Sequence, residues 1–339
     1  MQKYKCSLIV TLIIILCSCG GQSSNDNPTT PPPTPTATIN DFSYRTPTNE
    51  ELNEIKNIWE KRDLSAKDAV VVHEHTEGEV NVKIYEHKVG ANKHYRAIIT
   101  PAHPTKIPLP VELSLDGLDQ TNPSITIETN LRYYKGNSVL VVPAFRGRTM
   151  HYNGKSFAAD GDFCDAWDGA TDDTIALLNV VETSTPLANM KRVLATGYSR
   201  GGNVALLMAE RDNRIHTVID GAGPVDFYRN EVRERYGYQY QCQFFNNKTA
   251  AQARQRMLAS SPLRFNFLPT VKQVYIFHGA NDLTVPLWNP AEMNVHLLSQ
   301  GFSTKYIIYD GFGHGDIWRN QNFINAWDQA HDDFRSGSD

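Results

Sequence analysis

From residue 111 onward the chain alternates between two periodicities, and this limits the available folds more than any other feature. Short apolar runs, "VELSLDG", "SVLVVPAF", "RVLATG", "HTVIDGAG", "QVYIFHG" and "TKYIIYDG", mostly end in Gly or Asp. Several are separated by segments with helical spacing, "DDTIALLNVVETS", "GGNVALLMAER" and "PAEMNVHLLSQG". Strands apolar on both faces, linked by amphipathic helices, build a mostly parallel sheet covered on both sides. Upstream, "AVVVHEH", "EVNVKIYEH" and "HYRAIIT" alternate and are joined by short turns, which predicts an antiparallel edge. Thr48 and Glu51 form a capping-box pattern before a short helix with Leu52, Ile55, Ile58 and Trp59 on one face. The expected fold class is therefore α/β, with helices on both faces of a mostly parallel sheet and an antiparallel N-terminal edge. Function in such sheets gathers at the carboxyl ends of the strands. With no internal repeat or second compositional regime, residues 40–335 read as one domain.

The 339 residues are 40% hydrophobic, enough for a large core, and carry a net charge of −4. No basic run is long enough to suggest a nucleic-acid partner. Residues 1–18 read as an export signal: Lys3 and Lys5 precede an apolar stretch, Leu8–Leu16, too short to span a bilayer. Its end, "LCSC", resembles a bacterial lipobox, which implies lipidation of Cys19 and a cell-envelope location anchored to a membrane. The plainer reading is an ordinary signal cut at a small residue. Residues 19–39 are polar and Pro/Thr-rich, the composition of an extended tether.

The chemistry centres on "GYSRGG", 197–202. Ser199 lies where a strand pattern turns directly into a helix pattern, the setting that lifts a serine hydroxyl above a sheet. A serine hydroxyl needs a base to take its proton. His314 in "YDGFGHGD" follows the last strand on a flexible loop, whereas His278 reads as a packed strand-end residue. A carboxylate must hold that base. Asp282 in "HGANDLTVP" follows the preceding strand; Asp310 and Asp316 are rivals within the histidine's own loop. An oxyanion needs N–H donors. Arg200 supplies one from its backbone, and Leu118, with Gly117 close behind, is the expected second.

From about residue 95 to 325 the sequence resembles an α/β-hydrolase, with Ser199, Asp282 and His314 in that fold's order. It is similar to prolyl-oligopeptidase-type catalytic domains and to their acetyl xylan and feruloyl esterase relatives. "VVPAFRGR", "GYSRGG", "SPLRF", "HGANDLTVP" and "GFGHGD" carry the likeness. Many relatives have His-Gly where this chain has Asp116-Gly117. The peptidases also carry a large N-terminal propeller, for which the segment before the sheet has no counterpart. The resemblance thus implies a serine esterase needing no cofactor or metal; export and the tether suit a polysaccharide-linked ester, acetyl or feruloyl, and the aromatic-rich segment at about 227–260 tips the expectation toward the aromatic acyl group. A peptidase with the same triad and a non-catalytic carbohydrate-binding protein are the alternatives.

An aromatic-rich insertion, about 227–260, is placed to form a lid, and Tyr236, Tyr238 and Tyr240 are candidates for a pocket wall. The alternative is that its aromatics are core. "DGDFCDAWDG" lacks calcium-loop spacing and reads as a solvated acidic loop. Cys164 and Cys242 are either a disulfide or two separate thiols. Oligomeric state is not legible.

Overall fold

A computed structural model of the chain describes residues 45–65, 67–103, 107–119 and 123–337. The signal, Cys19 and the whole tether lie outside the described residues, as do the side chains of Tyr236 and Tyr238. Helix α1, Asn49–Lys61, opens with the Thr48–Glu51 capping box and buries Ile55 and Trp59. Three strands follow: β1 (Lys67–Glu77), β2 (Val80–Val89) and β3 (Asn92–Pro101). They pair antiparallel as the alternation predicts, and β3 pairs antiparallel with β6 (Val139–Ala144).

The rest of the sheet is parallel. Its strands are β4 (Leu109–Leu115), β9 (Ala188–Tyr198), β10 (Ile215–Gly221), β11 (Gln273–Gly279) and β12 (Thr304–Tyr309). The order across the nine strands is β1-β2-β3-β6-β4-β9-β10-β11-β12. From β4 the chain crosses outward to β6 and returns to β9 on the other side of β4, a reversal that opens a crevice at the strand ends. The register aligns those ends: Leu115 sits beside Gly197, Tyr198 beside Gly221, Gly221 beside Phe277, and Gly279 beside Tyr309. The loops carrying Asp116, Ser199, Asp282 and His314 therefore leave the sheet along one rim.

Helices α3 (Asp168–Ser184), α4 (Arg200–Arg211) and α7 (Trp288–Ser299) match the helix-period segments. Val204, Leu206, Met208 and Met293 pack with strand residues Val111, Val193 and Ile276 in the largest core. A C-terminal helix, α8 (Gln321–Ser336), covers the opposite face, burying Phe323, Ala330 and Phe334 against Leu194, Ile219 and Phe277. Burying each such phenylalanine contributes about 1.5–3 kcal/mol. Small additions interrupt the pattern: β5 (Ser124–Thr126), a one-turn helix α2 (Ile127–Leu131), β7 (Thr149–Tyr152) and β8 (Lys155–Ala158). The β-strands among these form a separate three-stranded sheet.

The insertion carries α5 (Asn230–Phe244) and α6 (Ala250–Ala259). Here the structure corrects one expectation. Tyr240 is buried, 1% exposed, and packs with Phe227, Phe244, Phe245 and Met257, so it is core and not a pocket wall. Its hydroxyl donates to Phe227 O at 3.1 Å, which satisfies its polar end inside that core. A second correction concerns the acidic loop. Asp165 pairs with Arg146 and Arg256, and Asp168 with Arg62 and Arg211, so these carboxylates are neutralised by arginines and not solvated. Cys164 and Cys242 are joined as a disulfide, Cα–Cα 5.3 Å, tying α5 to the loop before α3.

Asp220, near the end of β10, is 1% exposed. Its Oδ1 accepts from Gly223 N at 2.9 Å, while Oδ2 has no hydrogen-bond partner among the described residues. Burial pushes its carboxyl up to about 7. The folded protein thus keeps a proton that the unfolded chain has released above about pH 4. Stability from this group is present below about pH 4 and is lost as pH rises toward about 7. Asp220→Asn removes the titration. Its Tm relative to the unsubstituted protein should be more favourable near about pH 8 than near about pH 5, by the equivalent of ~2–3 kcal/mol. A Tm difference that does not change with pH would contradict this account.

Candidate active site

Ser199 occupies the turn between β9 and α4 at φ 57°, ψ −116°. A non-glycine residue at positive φ costs on the order of 1–3 kcal/mol and persists only where its surroundings over-determine it. Here Ser199 N donates to Gly221 O at 2.7 Å, and Ser199 O accepts from Asn203 N at 3.2 Å. The turn is tight enough that a Cβ on Gly197 would fall on Gly201, and a Cβ on Gly201 would fall on Leu115 O. Only glycine at both positions lets α4 start against the end of β4. Arg200 is the first helical residue, where backbone N–H groups have no intrahelical acceptor and the helix dipole is positive.

The loop after β4 abuts this turn. A Cβ on Gly117 would lie 3.6 Å from Tyr198 O and 3.9 Å from Ser199 Cβ. The Gly117–Leu118 peptide thus runs beside the serine, where a second oxyanion donor is needed. Leu118 is partly buried against the aromatic core of α1 and the insertion.

Asp282 and His314 meet as the sequence predicts. His314 Nδ1 lies 2.7 Å from Asp282 Oδ2, and the Asp282 side chain is fully buried. Its other oxygen accepts from the N–H groups of Thr284 and Val285, both at 2.8 Å. With a carboxylate as acceptor, Nδ1 carries the proton, so the neutral ring has its lone pair on Nε2. The rivals are placed elsewhere: Asp316 accepts from Gly313 N at 2.5 Å, and Asp310 is exposed. His278 is buried and its Nε2 donates to Val285 O at 2.8 Å, bracing the segment that carries Asp282. Burial holds the His278 ring below the usual histidine range, so it stays neutral beside that carboxylate.

Tyr198 connects the two halves. Its hydroxyl donates to His314 O at 2.5 Å, and its ring centroid lies 5.2 Å from the imidazole. The residue before the serine therefore holds the histidine loop over the strand ends. Among the described residues, Ser199 Oγ makes no hydrogen bond to His314. Such contacts commonly tighten only when substrate is bound. Exposed apolar side chains rim the site: Leu283, Leu287 and Trp318, with Trp318 edge-on to Tyr198 at 5.3 Å. A cavity of about 660 Å³ lies between β4, β9 and α8, lined by Asn130, Tyr134, Trp327 and His331 among others, but by none of Ser199, Asp282 or His314.

A strained serine at a helix N-terminus, with an Asp-held histidine from strand ends on the same rim, belongs to the serine hydrolases built on the α/β-hydrolase fold. The matching family is narrower. Residues 126–336 match the prolyl oligopeptidase family, and the chain belongs to it. No curated protein matches it in sequence. Among solved structures it is similar to an acetyl xylan esterase from a Paenibacillus species, with TM-score 0.59, 14% identity, and coverage of 88% of this chain and 97% of that one. An acetyl xylan esterase from a Thermoanaerobacterium species gives TM-score 0.56 and 14% identity, covering 84% and 93%. A puromycin-hydrolyzing peptidase from Mycobacterium tuberculosis gives TM-score 0.58 and 14% identity, covering 79% of this chain but only 48% of that one. At such identity the likeness is one of fold.

Residues that act as one catalytic unit lose most of their effect when any one is removed. Ser199→Ala and His314→Ala should each lower kcat by ~10⁴–10⁶, and Asp282→Asn by about the same or somewhat less. Steady-state turnover of an activated ester checks this. Full activity in Asp282→Asn, with loss in Asp316→Asn, would reassign the carboxylate.

Proposed function

We propose that the protein is an exported, lipid-anchored carboxylesterase that removes acyl groups from polysaccharides. The observation that carries the reading is the Asp282–His314 pair at 2.7 Å beside the strained Ser199 turn. Ser199 Oγ attacks the ester carbonyl as its proton passes to His314 Nε2. The oxyanion is met by the N–H groups of Arg200 and Leu118. His314 returns the proton to the departing alcohol, leaving an acyl ester on Ser199. Water, deprotonated by the same ring, then releases the acid and restores the serine. No cofactor takes part in these steps.

The proposed acyl group is acetyl rather than hydroxycinnamoyl. Burial of Tyr240 removes one residue of the aromatic wall that would have favoured a large acyl ring. Coverage of nearly the whole length of two acetyl xylan esterases supports an ester substrate. The peptidase alternative rests on the family and on the peptidase of similar fold. Export is supported by the Cys164–Cys242 disulfide, a bond that persists in oxidising compartments. The anchor rests on "LCSC" ending at Cys19.

The test is a substrate panel with Ser199→Ala as blank. Acetylated xylan and p-nitrophenyl acetate should turn over faster than methyl ferulate, and an alanyl-arylamide should be inert. Cleavage of the arylamide without ester turnover would establish the peptidase alternative. In bacteria, Cys19→Ala should abolish membrane retention; unchanged retention would refute the anchor.

A further inference from the structure

The Gly117–Leu118 peptide has an environment that the triad does not explain. Gly117 O accepts two hydrogen bonds from arginine side chains, from Arg200 Nη2 at 2.8 Å and Arg148 Nη1 at 3.0 Å. Both guanidinium groups are almost fully buried, with side-chain exposures of 1% and 2%. Asp116 bridges them, Oδ1 to Arg200 Nη2 at 2.8 Å and Oδ2 to Arg148 Nη2 at 2.9 Å. Arg148 is further fixed by donation to Ser124 O at 2.7 Å, and Arg200 by donation to Asp116 O at 3.3 Å. The Arg200 guanidinium also lies over Phe145, 4.5 Å from the ring centroid. Burial pulls Arg200 down to about 10, which leaves it charged at neutral pH. Two cations are thus gathered around one carbonyl, and among the described residues Asp116 is the carboxylate in ion-pair contact with both. Burying such a cluster carries a large desolvation cost, which points to a use for its geometry.

That use follows from the geometry of an amide. Gly117 C=O and Leu118 N–H belong to one planar unit, and no peptide in the described chain is cis. In a trans peptide the N–H points opposite to the C=O. Fixing the carbonyl between two guanidinium groups fixes the direction of the N–H. Charge-assisted donors also draw electron density toward the oxygen, which strengthens the N–H as a donor. We propose that Arg148 and Arg200, linked through Asp116, are positioning residues that lock and polarise the Gly117–Leu118 peptide as an oxyanion donor. The inference rests on the esterase reading and names the device by which its oxyanion site is preorganised. Asp116 supplies the anion that joins the two arginines. Arg200 serves twice, by its own backbone N–H and by its side chain's hold on the other donor.

The test uses Arg148→Met, Arg148→Lys and Asp116→Asn in the full chain, each shown by circular dichroism to be folded. A donor removed outright from an oxyanion site lowers kcat by ~10²–10³. A donor that is only misaligned should lose less, so Arg148→Met should lower kcat ~10–100-fold with KM within about threefold. Affinity for an aryl boronic acid, which forms a tetrahedral adduct on the serine, should fall in parallel, while affinity for the carboxylate product should not. Arg148→Lys, which keeps one donor toward Gly117 O, should recover part of both losses, and Asp116→Asn should show a milder form of the same split. Should Arg148→Met fail to fold, the lysine and asparagine variants carry the comparison alone. Unchanged kcat and boronate affinity in the folded variants would overturn the proposal, as would equal loss of boronate and product affinity. If Ser199→Ala retains wild-type turnover, the esterase reading itself has failed, an outcome distinct from either of these.

Discussion

The close approach of α4 to the end of β4 is the contact on which the site depends. Gly201 lies against Leu115 O with no room for a side chain, and Gly197 lies against Gly201. This contact forces Ser199 to positive φ and aims the first N–H groups of α4 at the space above the sheet. The cost is offset by the helix behind it: Val204, Ala205, Leu206 and Leu207 are fully buried. The parallel register does the remaining work, because it ends β4, β9, β10, β11 and β12 along one rim. Loops that start together need only short reach to assemble a site, which is why a residue at 282 and one at 314 meet.

Buried charge is the second organising theme. Arg148 and Arg200 converge on Asp116, Arg62 and Arg211 on Asp168 and Asp172, and Arg146 on Asp173. Each network spans segments far apart in the chain. Removing one member of such a pair leaves an uncompensated buried charge, commonly costing ~3–5 kcal/mol. The networks therefore specify which loops meet as well as contributing to stability. The one around Gly117 is set apart by its place beside Ser199, where both arginines donate to Gly117 O.

Much of this was legible in the sequence because its cause is local. Glycine on both sides of Ser199, and Gly or Asp at strand ends, follow from backbone crowding and leave a visible pattern. The nine strands of the main sheet and the α3, α4 and α7 helices were legible from periodicity, whereas the short strands β5, β7 and β8 were not. The lining of the insertion was not, because composition cannot say which face of an aromatic residue is covered; Tyr240 proved to be core. The acidic loop misled for the same reason, since the arginines that neutralise Asp165 and Asp168 arrive from residues 62, 146, 211 and 256. Tyr198 was overlooked as the clamp on His314, although its place next to the serine was a usable signal. The C-terminal helix also had a signal, with Phe323, Ala330 and Phe334 recurring on one face.

The account stands on Ser199 being the nucleophile that His314 activates. Incubation with an aryl phosphonate, followed by intact mass and peptide mapping, reads this directly, because the reagent bonds covalently to an activated serine. One adduct per chain, on Ser199, formed far more slowly in His314→Ala and absent in Ser199→Ala, is the predicted result. An adduct on another residue, or equal labelling of Ser199→Ala, would contradict the account.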